Sequence, residues 1–239
     1  RKGKGELYDY LRLNNGTAFV MWDYDYLREM SKGIPAIFSY GTASADIIGS
    51  VIKSEPFLEV GWATASTTRP IQTLLVGEYN LPNVLAAIAA GKYFKVADER
   101  IISALQHYAP SNSRSQLIEK GTNKIILDAY NANPSSMKLA IENFSKIAAG
   151  NKVLVLGAMM ELGPESKKEH QEIVSLIKNH TWNTVILVGG DFEGIAGPFS
   201  FFKNAADAGE WLKHHKQENS ALLIKGSRSM KMETILDAL

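Results

Sequence analysis

Lys124-Ile-Ile-Leu-Asp-Ala-Tyr-Asn-Ala-Asn-Pro134 opens the half of this 239-residue chain that decides its fold. A short apolar run ends in Asp128, and a polar loop leads to Asn133 and Pro134, residue types suited to the N-cap and first turn of a helix. Similar runs follow at Lys152-Val-Leu-Val-Leu156, Thr184-Val-Ile-Leu-Val188 and Ala221-Leu-Leu-Ile224, each bounded by polar residues or Gly. Their ends, Asp128, Gly157, Gly189 and Lys225, lie 29, 32 and 36 residues apart, which suits strand–helix–strand units. Amphipathic helices fit between them, one begun by a Ser166-x-x-Glu169 capping box. The expected fold is a doubly wound α/β domain, with ligands held just beyond the carboxyl ends of the strands.

The first half reads differently. Thr17-Ala-Phe-Val-Met21, Pro35-Ala-Ile-Phe38 and Asp46-Ile-Ile-Gly-Ser-Val-Ile52 are strand candidates, and residues 24–30 suit a short helix. Otherwise residues 1–76 read as short β-rich runs and turns. Leu81, Val84, Leu85, Ile88 and Ala89 then fall on one helical face, and Ile101, Ile102, Leu105 and Tyr108 repeat the pattern after a start signal at Asp98. The turn-rich Pro110-Ser-Asn-Ser113 places a domain boundary, giving domains 1–110 and 111–239.

Composition limits the partners. The chain is 45% hydrophobic and 21% charged, with 19 Gly and 8 Pro, which fits a globular protein and not a disordered or collagen-like one. A net charge of +1 supplies no broad field for nucleic acid or an anionic membrane, so any bound anion needs a local site. The absence of Cys removes disulfides, thiolate metal sites and Cys nucleophiles, and fits an intracellular setting. No apolar run approaches the roughly 20 residues of a membrane span, and no signal-peptide pattern opens the chain. A cytoplasmic monomer is the expectation. The first residue is Arg, so the chain is expected to be a piece of something longer.

Four segments follow the strands. Asp128 suits the two hydroxyls of a ribose, or equally a turn or N-cap. Lys225-Gly-Ser-Arg228 suits a carboxylate or phosphate, or a solvated surface turn. Glu161, in the Gly-bounded loop Gly157-Ala-Met-Met-Glu-Leu-Gly163, suits Mg²⁺ or an amine, or is merely exposed. Gly189-Gly-Asp191 is too short for a phosphate-binding signature. His170 reads as a surface or hydrogen-bonded structural residue. Arg114 suits a phosphate or is a surface cation, and Asn80 and Asn83 share a helix face that suits a purine edge, or cap that helix. No G-x-x-x-x-G-K-[ST] phosphate loop and no G-x-G-x-x-G after a strand occurs, so pieces of a nucleotide site stand without the part that holds a triphosphate.

Gly77-Glu-Tyr-Asn-Leu-Pro-Asn-Val-Leu-Ala-Ala87, Asp128-Ala-Tyr-Asn-Ala-Asn-Pro-Ser-Ser-Met137, Val155-Leu-Gly-Ala-Met-Met-Glu-Leu-Gly163 and Lys225-Gly-Ser-Arg-Ser229 occur in this order. Together they resemble the Mur ligases of peptidoglycan synthesis over essentially the whole chain. The resemblance implies an ATP-dependent amide ligase. ATP would phosphorylate the peptide carboxylate of UDP-N-acetylmuramoyl-tripeptide, and the amine of D-alanyl-D-alanine would attack the acyl phosphate. It implies the second half of a central ATPase domain over residues 1–110, then a Rossmann-like C-terminal domain, with the UDP-sugar domain and phosphate loop upstream. Another Mur ligase, a folylpolyglutamate synthase, or a non-catalytic nucleotide-binding or interaction module are the alternative readings.

Carried over by position, the resemblance assigns Asn80 and Asn83 to adenine, Arg114 to the ATP phosphates and Asp128 to the ribose. Tyr130, Asn131, Asn133, Glu161 and Lys225 are assigned to segments facing the dipeptide and acyl phosphate, and Ser227 and Arg228 to the dipeptide carboxylate. Lys4 resembles a lysine that is carbamylated in the family and helps to hold Mg²⁺. Two positions depart from the family pattern: Tyr79 stands where many relatives have His, and Ala158 where Asp is usual, so any metal or amine role in that loop falls on Glu161 alone.

Overall fold

Strands alternating with helices put nearly continuous apolar runs between two covering layers, and the second half of the chain follows this rule. The computed structural model describes residues 2–111 and 113–239, the side chains of Lys2 and Lys4 excepted. It divides into two compact units, Arg1–Tyr108 and Ala109–Leu239.

In the second unit the elements are β6 (Gln116–Lys120), β7 (Asn123–Asp128), α5 (Pro134–Lys146), β8 (Asn151–Gly157), α6 (Ser166–Lys178), β9 (Thr184–Val188), β10 (Ser200–Phe202), α7 (Ala205–His214) and β11 (Ser220–Lys225); α1–α4 and β1–β5 belong to the first unit. The sheet order is β10-β9-β8-β11-β7-β6, parallel except for β6, which pairs antiparallel with β7. The last strand in sequence thus lies between β7 and β8, where the winding reverses and such folds place ligands. Every residue of β11 is buried. Ile125, Leu127, Val153, Val155, Ile186, Val188, Leu222 and Ile224 form one core with Ala208 and Leu212 of α7 and with Met232 and Ile235 beyond β11. The alternate strand residues are covered on the other face, toward which the buried stripes of α5 and α6 are turned. At roughly 1.5–3 kcal/mol per buried aliphatic side chain, this core dominates the unit's stability.

In the first unit α1 (Lys2–Leu13), β1 (Thr17–Met21), α2 (Asp25–Ser31), β2 (Ala36–Gly41), β3 (Ile47–Lys53), β4 (Glu59–Ala63), β5 (Thr68–Gln72), α3 (Leu81–Tyr93) and α4 (Asp98–His107) follow in order. The sheet runs β1 to β5 in sequence, parallel through β3 and antiparallel after it. Leu81, Val84, Leu85, Ile88 and Ala89 of α3 are buried together with Val60, Trp62, Ile71 and Ile101.

Three expectations need correction. Tyr108 lies just past the end of α4 with extended backbone and is 53% exposed, so it does not continue that helix's apolar face. Residues 2–13 form a helix where turns and β-rich runs were expected; Gly3 and Gly5 mask the helical signal, and tertiary packing of Tyr8 and Leu11 against Ala18, Val20 and Met30 supplies the stability. Ser166 does not cap α6. The chain enters that helix through a 3₁₀ turn over Gly163–Glu165, so Ser166 already has helical dihedrals (φ −53°, ψ −50°) and cannot adopt the extended N-cap geometry. Asn133 does cap α5: its side chain accepts from Ser136 N–H, and Ser136 Oγ accepts from Asn133 N–H. Among the described residues no helix is long and apolar enough to cross a membrane.

Candidate functional site

Lys225 and Asp128 are the last residues of neighbouring parallel strands and stand side by side in register. The Lys225 ammonium donates to Asp128 Oδ2 at 2.5 Å and to the Asn131 carbonyl at 3.3 Å. Its side chain is 1% exposed and that of Asp128 15%. The ammonium thus ties β11 to β7 and to the loop after β7 instead of projecting outward. The other carboxylate oxygen, Oδ1, accepts from Ser115 N–H at 3.1 Å. Each oxygen has a second lone pair, so Asp128 keeps acceptor capacity toward solvent.

The same strand ends position two arginines. Ser113 and Ser115 take left-handed backbone conformations, φ 56° and 46°, on either side of Arg114. The Ser113 carbonyl accepts from Ala129 N–H at 2.8 Å and from Tyr130 N–H at 3.1 Å, which stitches this loop to the end of β7. Arg114 therefore comes over the Tyr130 ring, its guanidinium carbon 3.9 Å from the ring centre. From the loop after β11, Arg228 approaches the same ring at 5.2 Å. A hydrogen bond and the charge of Arg114, with the charge of Arg228 behind them, hold the Tyr130 phenol below the usual tyrosine range. Among the described residues neither arginine is in an ion pair, and both are exposed. Two unpaired guanidiniums converging on one ring suit an anion such as a phosphate or carboxylate.

The loop after β8 is pinned from three sides. Ala158 N–H donates to Val188 O at 2.9 Å, Ser227 N–H donates to Ala158 O at 3.2 Å, and Met160 N–H donates to Ser227 Oγ at 2.9 Å. Met159 N–H donates to His170 Nε2 at 3.0 Å. Glu161 comes next, exposed and with φ 63°. The loops after β8 and β11 touch through backbone: a Cβ on Gly226 would lie 3.0 Å from Gly157 Cα and 2.7 Å from Met232 Cγ, so only Gly fits.

Residues joined in the sequence reading thus divide by position. Arg114, Tyr130, Asn131, Glu161 and Arg228 lie at the carboxyl ends of the strands with exposed or half-exposed side chains. Lys225, Ser227 and Asn133 are engaged in holding loops: Lys225 by its ion pair, Ser227 by Met160, Asn133 by its cap. No motif signals the stitching by Ser113 and Ser115, because it is made by backbone atoms. In the first unit, Asn80 is buried at the start of α3; its Nδ2 donates to Val76 O at 2.9 Å and its Oδ1 accepts from Asn83 Nδ2 at 3.0 Å. Asn80 has helical dihedrals and its side chain caps nothing, so the capping alternative is replaced by an internal clamp, while Asn83 is exposed.

The Lys4 side chain lies outside the described residues, as does Asn112 of the turn-rich stretch. Among the described residues no group of three or more His, Asp or Glu gathers to hold a metal ion, and Glu161 is a single exposed carboxylate. These residues do not by themselves make a Mg²⁺ site.

The sequence and the fold of this chain both have counterparts among known proteins. Residues 113–228 match the family described as "Mur ligase, glutamate ligase domain", and the second unit belongs to the Mur ligase family. Several relatives similar in sequence share one name. The UDP-N-acetylmuramoyl-tripeptide–D-alanyl-D-alanine ligase of Bacillus subtilis is 35% identical over 173 residues, covering 68% of this chain and 38% of that protein. The Escherichia coli ligase of the same name is 29% identical, covering 100% of this chain and 55% of that protein. A crystal structure of MurF from Acinetobacter baumannii superposes with a TM-score of 0.85 at 27% identity, over 99% of this chain and 54% of the other. The chain thus spans about half or less of the length of these relatives, and its two-sheet α/β architecture is that of the Mur ligase fold.

Proposed function

We propose that this chain is part of an ATP-dependent ligase that joins D-alanyl-D-alanine to UDP-N-acetylmuramoyl-tripeptide through an acyl phosphate. The observation that carries the reading is the pair of unpaired guanidiniums, Arg114 and Arg228, over Tyr130 at the strand ends, in a chain whose relatives bear that name. In this reading Arg114 neutralises phosphate charge as phosphoryl transfer proceeds, and Arg228 holds the carboxylate of the incoming dipeptide. Asp128, fixed by Lys225, accepts from the ribose. Tyr130 and Asn131 border the dipeptide, and Glu161 orients its amine. Lys225, Ser227 and Asn133 act by positioning, which accounts for their place in the matching motifs without direct substrate contact. Asn83, locked to Asn80, serves the adenine. Residues 1–110 supply the second half of the ATPase domain.

The sequence contains no phosphate loop, so the 239-residue chain is expected to bind adenine nucleotide weakly and not to turn it over. Calorimetric titration with ADP tests this: Arg114→Ala and Asp128→Asn should each abolish the measured heat while circular dichroism stays unchanged. Undiminished binding in both variants would remove these residues from the nucleotide site. Phosphate release from ATP that depends on both peptide substrates, measured on the chain alone, would refute the expected inactivity.

A further inference from the structure

His170, in the second turn of α6, is left unused by the proposed chemistry, and it is 0% exposed. Its Nε2 faces Met159 N–H at 3.0 Å, and its Nδ1 lies 2.7 Å from the Ser166 carbonyl oxygen. A backbone N–H only donates and a carbonyl only accepts, so the ring must carry its proton on Nδ1 and a lone pair on Nε2. Phe192, from the turn after β9, packs against the ring in a T-shaped contact with centroids 4.6 Å apart and planes at 85°. Rotation about either side-chain bond would break both hydrogen bonds and the ring contact at once.

The Met159 amide is the middle member of the pinned run. Val188 and Ser227 hold Ala158, Ser227 Oγ holds Met160, and His170 holds Met159 from the helix side. Glu161 leaves this run with a left-handed φ of 63°, so its direction depends on where Met159 and Met160 are fixed.

We propose that His170 is a positioning residue for the loop between β8 and α6, and that its neutral, Nδ1-protonated ring sets the direction in which Glu161 projects. That Glu161 faces a ligase substrate rests on the function proposed above. The clamp itself does not, and its readouts use no substrate, so failure of one is visible apart from failure of the other.

The test is nuclear magnetic resonance on the ¹⁵N-labelled 239-residue chain, wild type, His170→Leu and His170→Gln. The wild type should show a pyridine-type Nε2, a pyrrole-type Nδ1 and a scalar coupling across the Met159 N–H···Nε2 bond. In H170L the Met159 amide should exchange about tenfold faster, the loss of one buried hydrogen bond, with Leu154 to Leu156 unchanged and the Glu161 HN–Hα coupling shifted. H170Q, which can place an acceptor near the same amide, should recover most of both. A protonated Nε2, no coupling in the wild type, unchanged Met159 exchange in H170L, or equal loss across β8 and the loop would each overturn the proposal. If H170L does not fold, the wild-type coupling and the H170Q exchange decide it.

Discussion

Lys225 is buried, and the partners that face its Nζ are Asp128 and the Asn131 carbonyl. Removing one member of such a pair strands the other. Lys225→Met is therefore expected to destabilise the second unit by about 3–5 kcal/mol, read as a lower urea midpoint. Adding Asp128→Asn to that background should cost little more, and full additivity of the two changes would show that the pair is not coupled. The same logic makes Asp128→Ala a poor probe of a ribose contact, since it also leaves an unpaired ammonium. Tyr130 gives a second prediction at this scale. Its phenol should ionise at lower pH than an ordinary tyrosine, followed by ultraviolet absorbance. Arg114→Met should raise that ionisation more than Arg228→Met, because Arg114 is nearer, at 3.9 Å against 5.2 Å, and is the leading cause of the shift. An equal or reversed order would refute the assignment. The residue types of this cluster were legible in the sequence. Which of them face solvent was not: Lys225 and Arg228 stand three apart in one motif, yet one is buried and the other exposed.

At the scale of elements, local rules worked where the signal is made by adjacent residues. Asn133 with Pro134 starts α5 as expected, because the cap and the first turn are sequence neighbours. Asn133→Ala should cost about 1 kcal/mol and speed amide exchange at Ser136 without altering the β8 amides; no change at Ser136 would argue against the cap. The Ser166 signal failed because the preceding Gly163–Glu165 turn had already set the helix direction. Helix α1 was missed because packing outweighs its two glycines. Strand β10 was missed because three residues carry too little pattern to see. The Gly226–Gly157 approach belongs to this scale as well. Gly226→Ala should displace the loop after β11 and with it Arg228, seen as loss of the Arg228 share of the Tyr130 shift. An unperturbed Tyr130 titration in a folded variant would mean that the two loops can part without consequence.

For the whole molecule, each unit has its own buried core: one around β7, β8, β9 and β11, the other around α3 and the β1–β5 sheet. Residues 109–239 expressed alone are accordingly expected to fold cooperatively and to retain the lowered Tyr130 ionisation, since Arg114, Tyr130 and Arg228 all lie within that unit. A molten spectrum for this piece would show that its stability depends on residues 1–108. The net charge of +1 acquires a more specific meaning at this scale. The net charge gives no broad field, and two guanidiniums without an ion-pair partner among the described residues supply a local one.

By itself the sequence determined the second unit's alternating strands and helices, the α3 face, the α4 face through Leu105 and the segments that resemble the Mur ligases, because these follow from hydrophobic period and from contiguous motifs. Tertiary structure alone decided that the last strand enters the middle of its sheet. That insertion brings Lys225 beside Asp128, although 97 residues separate them. It also decided that His170 and Ser227 grip the loop carrying Glu161. The reason is physical: burial and pairing across strands depend on which surfaces meet in space, and nothing in a local spacing encodes that meeting.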